Sequence, residues 1–140
     1  HYNLCYREEE REMIPFCEDQ NISILPYNPV AKGFLSGKYN RNTKNESIRF
    51  KTDPGLAAKF FKPEDFDVLD MVIQIANEKD VKPAQIAIAW LLTKTITSPI
   101  IGVTKKSHVE EAVDALDIKL TNDDIKRLEE PYQVHSINHL

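Results

Sequence analysis

Two cysteines in 140 residues, Cys5 and Cys17, are too few for a disulfide framework. No His or second Cys pair stands at ligand spacing beside them, which argues against a zinc site and for a reducing, cytoplasmic setting. Long apolar runs are lacking as well. The longest, residues 86–92, falls far short of the roughly 20 residues a membrane-spanning helix needs, so no membrane partner is expected. The first residues have no basic leader before an apolar core, so no secretory signal is expected, and a chain without an initiator Met reads as a fragment. Positive charge is not in excess either: 18 Lys and Arg stand against 22 Asp and Glu, a formal charge of −4. That balance argues against a nucleic-acid partner.

What is present, 41% apolar residues, suits a single soluble globular unit. Its charge is unevenly spread. Residues 32–62 carry Lys32, Lys38, Arg41, Lys44, Arg49, Lys51, Lys59 and Lys62 against only Glu46 and Asp53. A basic stretch inside an acidic chain suits an anionic ligand, and equally a solvated loop.

Hydrophobic pattern predicts three short strands, at residues 1–6, 22–25 and 98–103, the last two of the buried kind. Residues 8–19 are helical in composition, with Met13, Ile14 and Cys17 as a narrow apolar stripe and Pro15 delaying the regular helix. Residues 27–62 show no sustained period and are expected to form a long loop, a length that usually has a function. Helices follow at 63–79 and 83–92, each opened by proline. The second is apolar on nearly every side, which requires it to be sandwiched. Ser107 and Glu110 have the spacing of a capping box, with Val109, Ala112, Val113 and Leu116 as the stripe of the helix behind it. Thr121 caps a last helix to about residue 130, where Leu120 and Ile125 are placed as a hydrophobic staple. Residues 131–140 are expected to be extended.

Strands separated by helices run parallel, which makes the class α/β. Three parallel strands beneath as many as five helices leave two open edges, through which the chain could self-associate. The balance fits a little under half of a (β/α)8 TIM barrel, whose compact form has roughly 250 residues. A small doubly wound domain remains the alternative.

Only four glycines occur, and Gly33, Gly37 and Gly102 fall just beyond predicted strands. Without a Cβ, glycine lets main-chain N–H groups approach a phosphate, and a helix opening near Ser107 adds a positive dipole end. In barrels the phosphate site is often built from the loops after the last two strands. Here such loops carry Gly33, Ser36, Gly37 and Lys38, and Gly102, Thr104, Lys105 and Ser107. Tyr27 ends the second strand, where its ring could stack on a flat heteroaromatic ligand or serve in packing. No catalytic set stands out. His1, His108, His135 and His139 lack a partnered nucleophile, the cysteines lack a neighbouring base, and no carboxylate pair emerges from the acidic runs.

At these residues the sequence resembles the C-terminal part of the aldo-keto reductase superfamily, in its fungal and bacterial aryl-alcohol-dehydrogenase-like branch. The resemblance covers nearly the whole chain. It is carried by residues 1–39, from HYNLCYREEEREMIPF to NPVAKGFLSGKY, by VKPAQIAIAWLL (81–92), by SPIIGVTKKSHVEEAVDAL (98–116) and by IKLTNDDIKRLEEPY (118–132). It implies the sixth to eighth barrel strands with their helices, NADP(H) as cofactor, and interconversion of small aldehydes or ketones with alcohols, aryl alcohols among them. Position by position it implies that Tyr27 stacks on nicotinamide and that Pro29, Val30, Ala31, Gly33, Leu35, Gly37 and Lys38 fold over the pyrophosphate. Gly102, Thr104 and Lys105 would take the adenosine 2′-phosphate, with His108 and Glu111 beside the adenine. Ala112 departs from the Asn of many relatives. The family's proton-donating Tyr, its Lys and Asp, and its substrate-orienting His come from the first half of the barrel and match nothing here, so no catalytic residue is expected and the chain alone should be silent. A non-enzymatic cofactor-sensing or partner-binding module, or a degenerate truncated gene product, are the alternatives.

Overall fold

The computed structural model describes residues 1–41 and 60–134. In chain order it has a 3-10 turn at Glu8–Glu10, helix α1 at Met13–Asp19, a 3-10 segment at Ala31–Ser36, α2 at Pro63–Glu78 and α3 at Pro83–Leu92. Helix α4, Lys106–Asp114, then runs into a 3-10 turn at Ala115–Asp117, and α5 spans Asn122–Glu129. Among the described residues no helix is long and apolar enough to cross a membrane.

Helices α2 and α3 start by the same local chemistry. Pro63 and Pro83 occupy the first turn, where the N–H that proline lacks would have had no partner. Two residues on, the side chains of Asp65 and Gln85 each accept a hydrogen bond at 3.0 Å from the main-chain N–H of Lys62 and Lys82. Helix α5 is capped as its sequence predicts. The Asp124 N–H donates to Thr121 Oγ1 at 3.1 Å, and the Thr121 N–H donates to Asp124 Oδ2 at 2.8 Å. Leu120 and Ile125 both pack on the core.

Helix α3 is that core's centre, with residues 85–91 all buried. It is enclosed by α2, α4 and the 3-10 segments Ala31–Ser36 and Ala115–Asp117, while α5 lies against α2. Phe34 anchors the Ala31–Ser36 segment among Tyr39, Phe60, Phe61 and Phe66, with ring centroids 5.0–6.2 Å away.

The three predicted strands are not formed as regular strands. Residues 3–6 close a tight turn instead, because Asn3 Oδ1 accepts the Cys5 N–H at 2.9 Å and the main chains of Asn3 and Tyr6 exchange bonds. Residues 22–27 and 97–100 run alongside each other through Thr97 N–H to Ile24 O and Ile100 N–H to Pro26 O, both 2.8 Å, but only Tyr27 and Ile100 make a parallel bridge. Pro26 and Pro99 remove ladder donors from both segments. Their apolar residues are also exposed rather than buried, Leu25 by 55% and Ile100 by 54%.

Three helix expectations need correction. The 8–19 segment breaks into the 3-10 turn and α1, and of the α1 stripe Ile14 packs on the core, partly buried, while Met13 is exposed. The Ser107–Glu110 box does not form: Lys105 is the extended residue ahead of α4, which begins at Lys106, and Ser107 is already inside the helix. The stripe of that helix faces outward, with Val109, Val113 and Leu116 all exposed. The loop predicted from 27 onward contains the compact Ala31–Ser36 segment, and its residues 42–59 lie outside the described residues, as do 135–140 of the expected extended tail.

A polar clasp ties the first residues to the last helix. Glu129 accepts from Trp90 Nε1 at 2.8 Å, from Lys94 Nζ and from Arg7 Nη2 at 3.2 Å. The Arg7 guanidinium lies over the Trp90 and Tyr132 rings, and Tyr132 Oη donates to Glu8 Oε1 at 2.6 Å. Burial alone would push the Glu129 carboxyl up, but the bonds from Lys94 and Trp90 and the charge of Arg7 hold it below the usual carboxylate range. With the folded value below the unfolded one of about 4.3, this stabilisation is complete above that pH and is lost as the pH falls through the folded value. Glu129→Gln is therefore expected to lower stability at pH 7 by about 1–3 kcal/mol and to flatten its decline below pH ~4.5, read by urea unfolding across pH.

Candidate functional site

The segment from Asn28 to Gly37 concentrates left-handed backbone. Asn28, Ala31 and Lys32 have φ of 66°, 50° and 55°, and Gly33 and Gly37 have 91° and 77°. A non-glycine residue in this region costs on the order of 1–2 kcal/mol, so the conformation persists only where its surroundings enforce it. Asn28 does much of the enforcing, since its main-chain O accepts from Ala31 N–H at 3.0 Å and its Oδ1 accepts from Lys32 N–H. Val30 O takes the N–H groups of Gly33 and Leu35, and Ser36 Oγ donates to Gly33 O at 2.7 Å. The side chains of Ala31, Phe34 and Leu35 are buried beneath. The N–H groups of Ala31, Gly33 and Leu35 are thus spent within the segment, while Gly37 and Lys38 are exposed and Val30 and Gly33 half-buried.

The second loop is open. Gly102, Thr104 and Lys105 are exposed, and the His108 N–H donates to Lys105 O at 3.1 Å where α4 begins. Glu111, one turn further, is already engaged: its Oε1 lies 2.5 Å from Lys82 Nζ, and its main-chain O accepts from Gln85 Nε2 at 3.2 Å.

These contacts bring the first loop and the helix that follows the second loop to the same end of α3. A Cβ on Gly37 would lie 2.9 Å from Pro83 Cγ, so the first loop rests on the first turn of α3. Lys82 and Gln85, flanking the same turn, hold Glu111 of α4. The Tyr27–Ile100 bridge joins the stems of the two loops, and the Tyr27 ring remains 38% exposed. Pro29 is buried beside it. Of the basic stretch, Arg41 is committed to Asp67 at 2.6 Å and Asp70 at 3.1 Å, and Lys44, Arg49, Lys51 and Lys59 lie outside the described residues.

Burial, with the Asp65 charge second, pushes the Cys5 thiol well up, which removes it as a nucleophile. Among the described residues no group of three His, Cys, Asp or Glu could hold a metal ion. The sequence pattern did not single out His1, Asn3 and Asn28, which the fold assembles beside Tyr27. The one local signal was the Asn28-Pro29 pair, which favours a turn.

A family profile described as the aldo/keto reductase family matches residues 1–133. The chain belongs to this family. Versiconal hemiacetal acetate reductase of Aspergillus parasiticus is 38% identical over 99% of this chain and 40% of its own length. A Saccharomyces cerevisiae protein that carries an aryl-alcohol dehydrogenase name is 40% identical over 95% of this chain and 38% of its own. Among solved structures, the glycerol dehydrogenase of Gluconobacter oxydans superposes with a TM-score of 0.75 at 24% identity, over 99% of this chain and 44% of that one. This aldo/keto reductase chain thus spans well under half of the relatives it matches, and its fold is that of one portion of a reductase barrel.

The two loop glycines separate backbone strain from steric conflict. Gly33→Ala, with nothing within 4 Å of its Cβ, should lose about 1 kcal/mol. Gly37→Ala adds a clash with Pro83 and should lose about 2–3 kcal/mol, a difference that parallel thermal melts will read.

Proposed function

We propose that this chain is the cofactor-binding C-terminal portion of an NADP(H)-dependent aldo/keto reductase that interconverts aldehydes or ketones with alcohols. Residues 1–6, 22–27 and 98–103 then stand for its sixth to eighth barrel strands. The supporting observation is that the first glycine-bearing loop and α4, the helix that follows the second, both engage the start of α3, with Lys38 and Lys105 exposed. The residues suit the group: strained, main-chain-rich backbone at 28–37 for a pyrophosphate, an exposed Lys105 for a 2′-phosphate, and a half-open Tyr27 ring for nicotinamide. Glu111, neutralised by Lys82, is spared from repelling a phosphate beside it. When bound, the cofactor would supply the hydride that reduces a carbonyl carbon.

The chain's own residues bind and orient. Lys105 offers a full positive charge to a 2′-phosphate dianion, a preference for NADP(H) over NAD(H) that a neutral donor would not give. Gly33 leaves open space where a side chain would stand, Gly37 lets the loop rest on Pro83, and Tyr27 presents a flat face. Tyr27 is given a stacking role and Lys105 a charge-pairing one, and no catalytic acid is assigned among residues 1–140.

The apolar grooves offer a second reading. Ile101, Val103, Val109, Val113 and Leu116 line one, and Met13, Ile14, Ile24 and Leu25 another. In a protein whose relatives are more than twice as long, these are the faces that the remaining barrel strands and helices would cover.

In the full-length protein, Lys105→Ala should weaken NADPH about tenfold or more while leaving NADH nearly unchanged, measured by cofactor titration. Equal weakening of both would show that Lys105 does not read the 2′-phosphate.

A further inference from the structure

His1 sits at the meeting point of the elements that shape the Tyr27 side of the site. Its imidazole stacks with Tyr6 at a centroid distance of 4.4 Å and an interplanar angle of 13°, and with Tyr27 at 5.1 Å and 27°. Phe60 meets it edge-on at 6.1 Å. Two side-chain amides converge on one ring nitrogen: Asn28 Nδ2 lies 2.9 Å and Asn3 Nδ2 3.3 Å from His1 Nε2.

The orientation of both amides is fixed independently of His1. Asn3 Oδ1 accepts the Cys5 N–H and its Nδ2 also donates to Asn28 O, while Asn28 Oδ1 accepts the Lys32 N–H. Main-chain N–H groups can only donate, so in each amide the oxygen is the atom turned toward them and the NH2 faces the imidazole. A ring nitrogen approached by two donors must be an acceptor. His1 is therefore neutral, with its proton on Nδ1.

From this arrangement, and resting on the cofactor reading above, we infer that His1 is a positioning residue of the nicotinamide side of the site. The bare Nε2 anchors Asn28, the same residue whose Oδ1 and main-chain O hold the left-handed turn at 31–32, and the ring backs Tyr27. Protonating His1 turns Nε2 from acceptor to donor, sets it against two NH2 groups, and loosens the loop and the Tyr27 ring together. Among the described residues, the titratable groups around it include the phenols of Tyr6 and Tyr27 and, along the groove that His1 also lines, the carboxylate of Glu9, the phenol of Tyr2 and the thiol of Cys17.

The test uses the full-length protein and titrates NADP⁺ by protein fluorescence between pH 8 and pH 5.5, with wild type, His1→Gln and His1→Lys side by side. Glutamine offers an amide oxygen as a permanent acceptor, whereas lysine is a permanent donor. The 2′-phosphate itself titrates near pH 6, so the difference between variants is the readout. Wild type should lose about tenfold more affinity than His1→Gln across the range. His1→Gln, which keeps the acceptor but loses the ring behind Tyr27, should bind more weakly than wild type at pH 8 through a loss that does not itself vary with pH, and His1→Lys should bind weakly throughout. Equal pH dependence in wild type and His1→Gln, or undiminished binding by His1→Lys, overturns the role given to His1. A cooperatively melting wild type that binds no NADP⁺ at any pH overturns the cofactor reading itself. Nitrogen-15 NMR of ring-labelled histidine gives a check independent of binding: an Nε2–H tautomer at pH 8 would refute the inference.

Discussion

Helix α3 is apolar around its whole circumference, and a helix with no polar face must be enclosed. Burying side chains such as Ile86, Trp90 and Leu91 contributes about 1.5–3 kcal/mol each, more than any surface ion pair in this chain can. That requirement recruits α2 and α4 as well as the Ala31–Ser36 and Ala115–Asp117 segments. The candidate site follows from the same enclosure, because two of those covering elements, the Ala31–Ser36 segment and α4, adjoin the two glycine-bearing loops. Phe34 buries one loop's far side, and the Lys82–Glu111 pair fixes the other's helix.

The same logic explains the uneven quality of the packing. Helix α2 and the Ala31–Ser36 and Ala115–Asp117 segments bury side chains against α3, whereas neither α1 nor α4 has a fully buried residue and the apolar stripe of α4 looks outward, although α4 touches α3. Segments 22–27 and 97–100 lie between these two regimes, joined by few hydrogen bonds and exposed on their apolar side chains. A parallel sheet is stable when both faces are covered, and here only part of that cover is in place.

What the sequence made legible follows from the range over which each signal acts. The starts of α2, α3 and α5 are written within four residues, by Pro63 and Asp65, by Pro83 and Gln85, and by Thr121 and Asp124, and all three stand where expected. Strands depend on partners far along the chain, so β-branched composition at 22–25 and 98–103 could not reveal that Pro26 and Pro99 interrupt the ladder. The Ser107 box had the right letters but competed with an extended Lys105 that starts the helix ahead of it. Of the site, the glycines and Lys105 were legible as a phosphate-loving pattern and Tyr27 as a strand-end ring. The role of Asn28 was not, since nothing in one sequence says that residues 3 and 28 aim their amides at residue 1.

That convergence bears on how a strained loop is maintained. Three non-glycine residues in the left-handed region would relax in an isolated peptide, at a gain of order 1–2 kcal/mol each. Here Ala31 is held to the core by its buried methyl and Asn28 to residues 1–6 through Asn3 and His1, and Lys32 is held in turn by the side-chain amide of Asn28. The loop's shape is thus set by its floor and by the turn at residues 3–6, and a ligand need not supply the ordering. A preorganised loop takes a ligand without first having to restrict the chain. A loop held in this way from one end of the chain gives residues that never touch a cofactor a direct influence on how tightly it is bound.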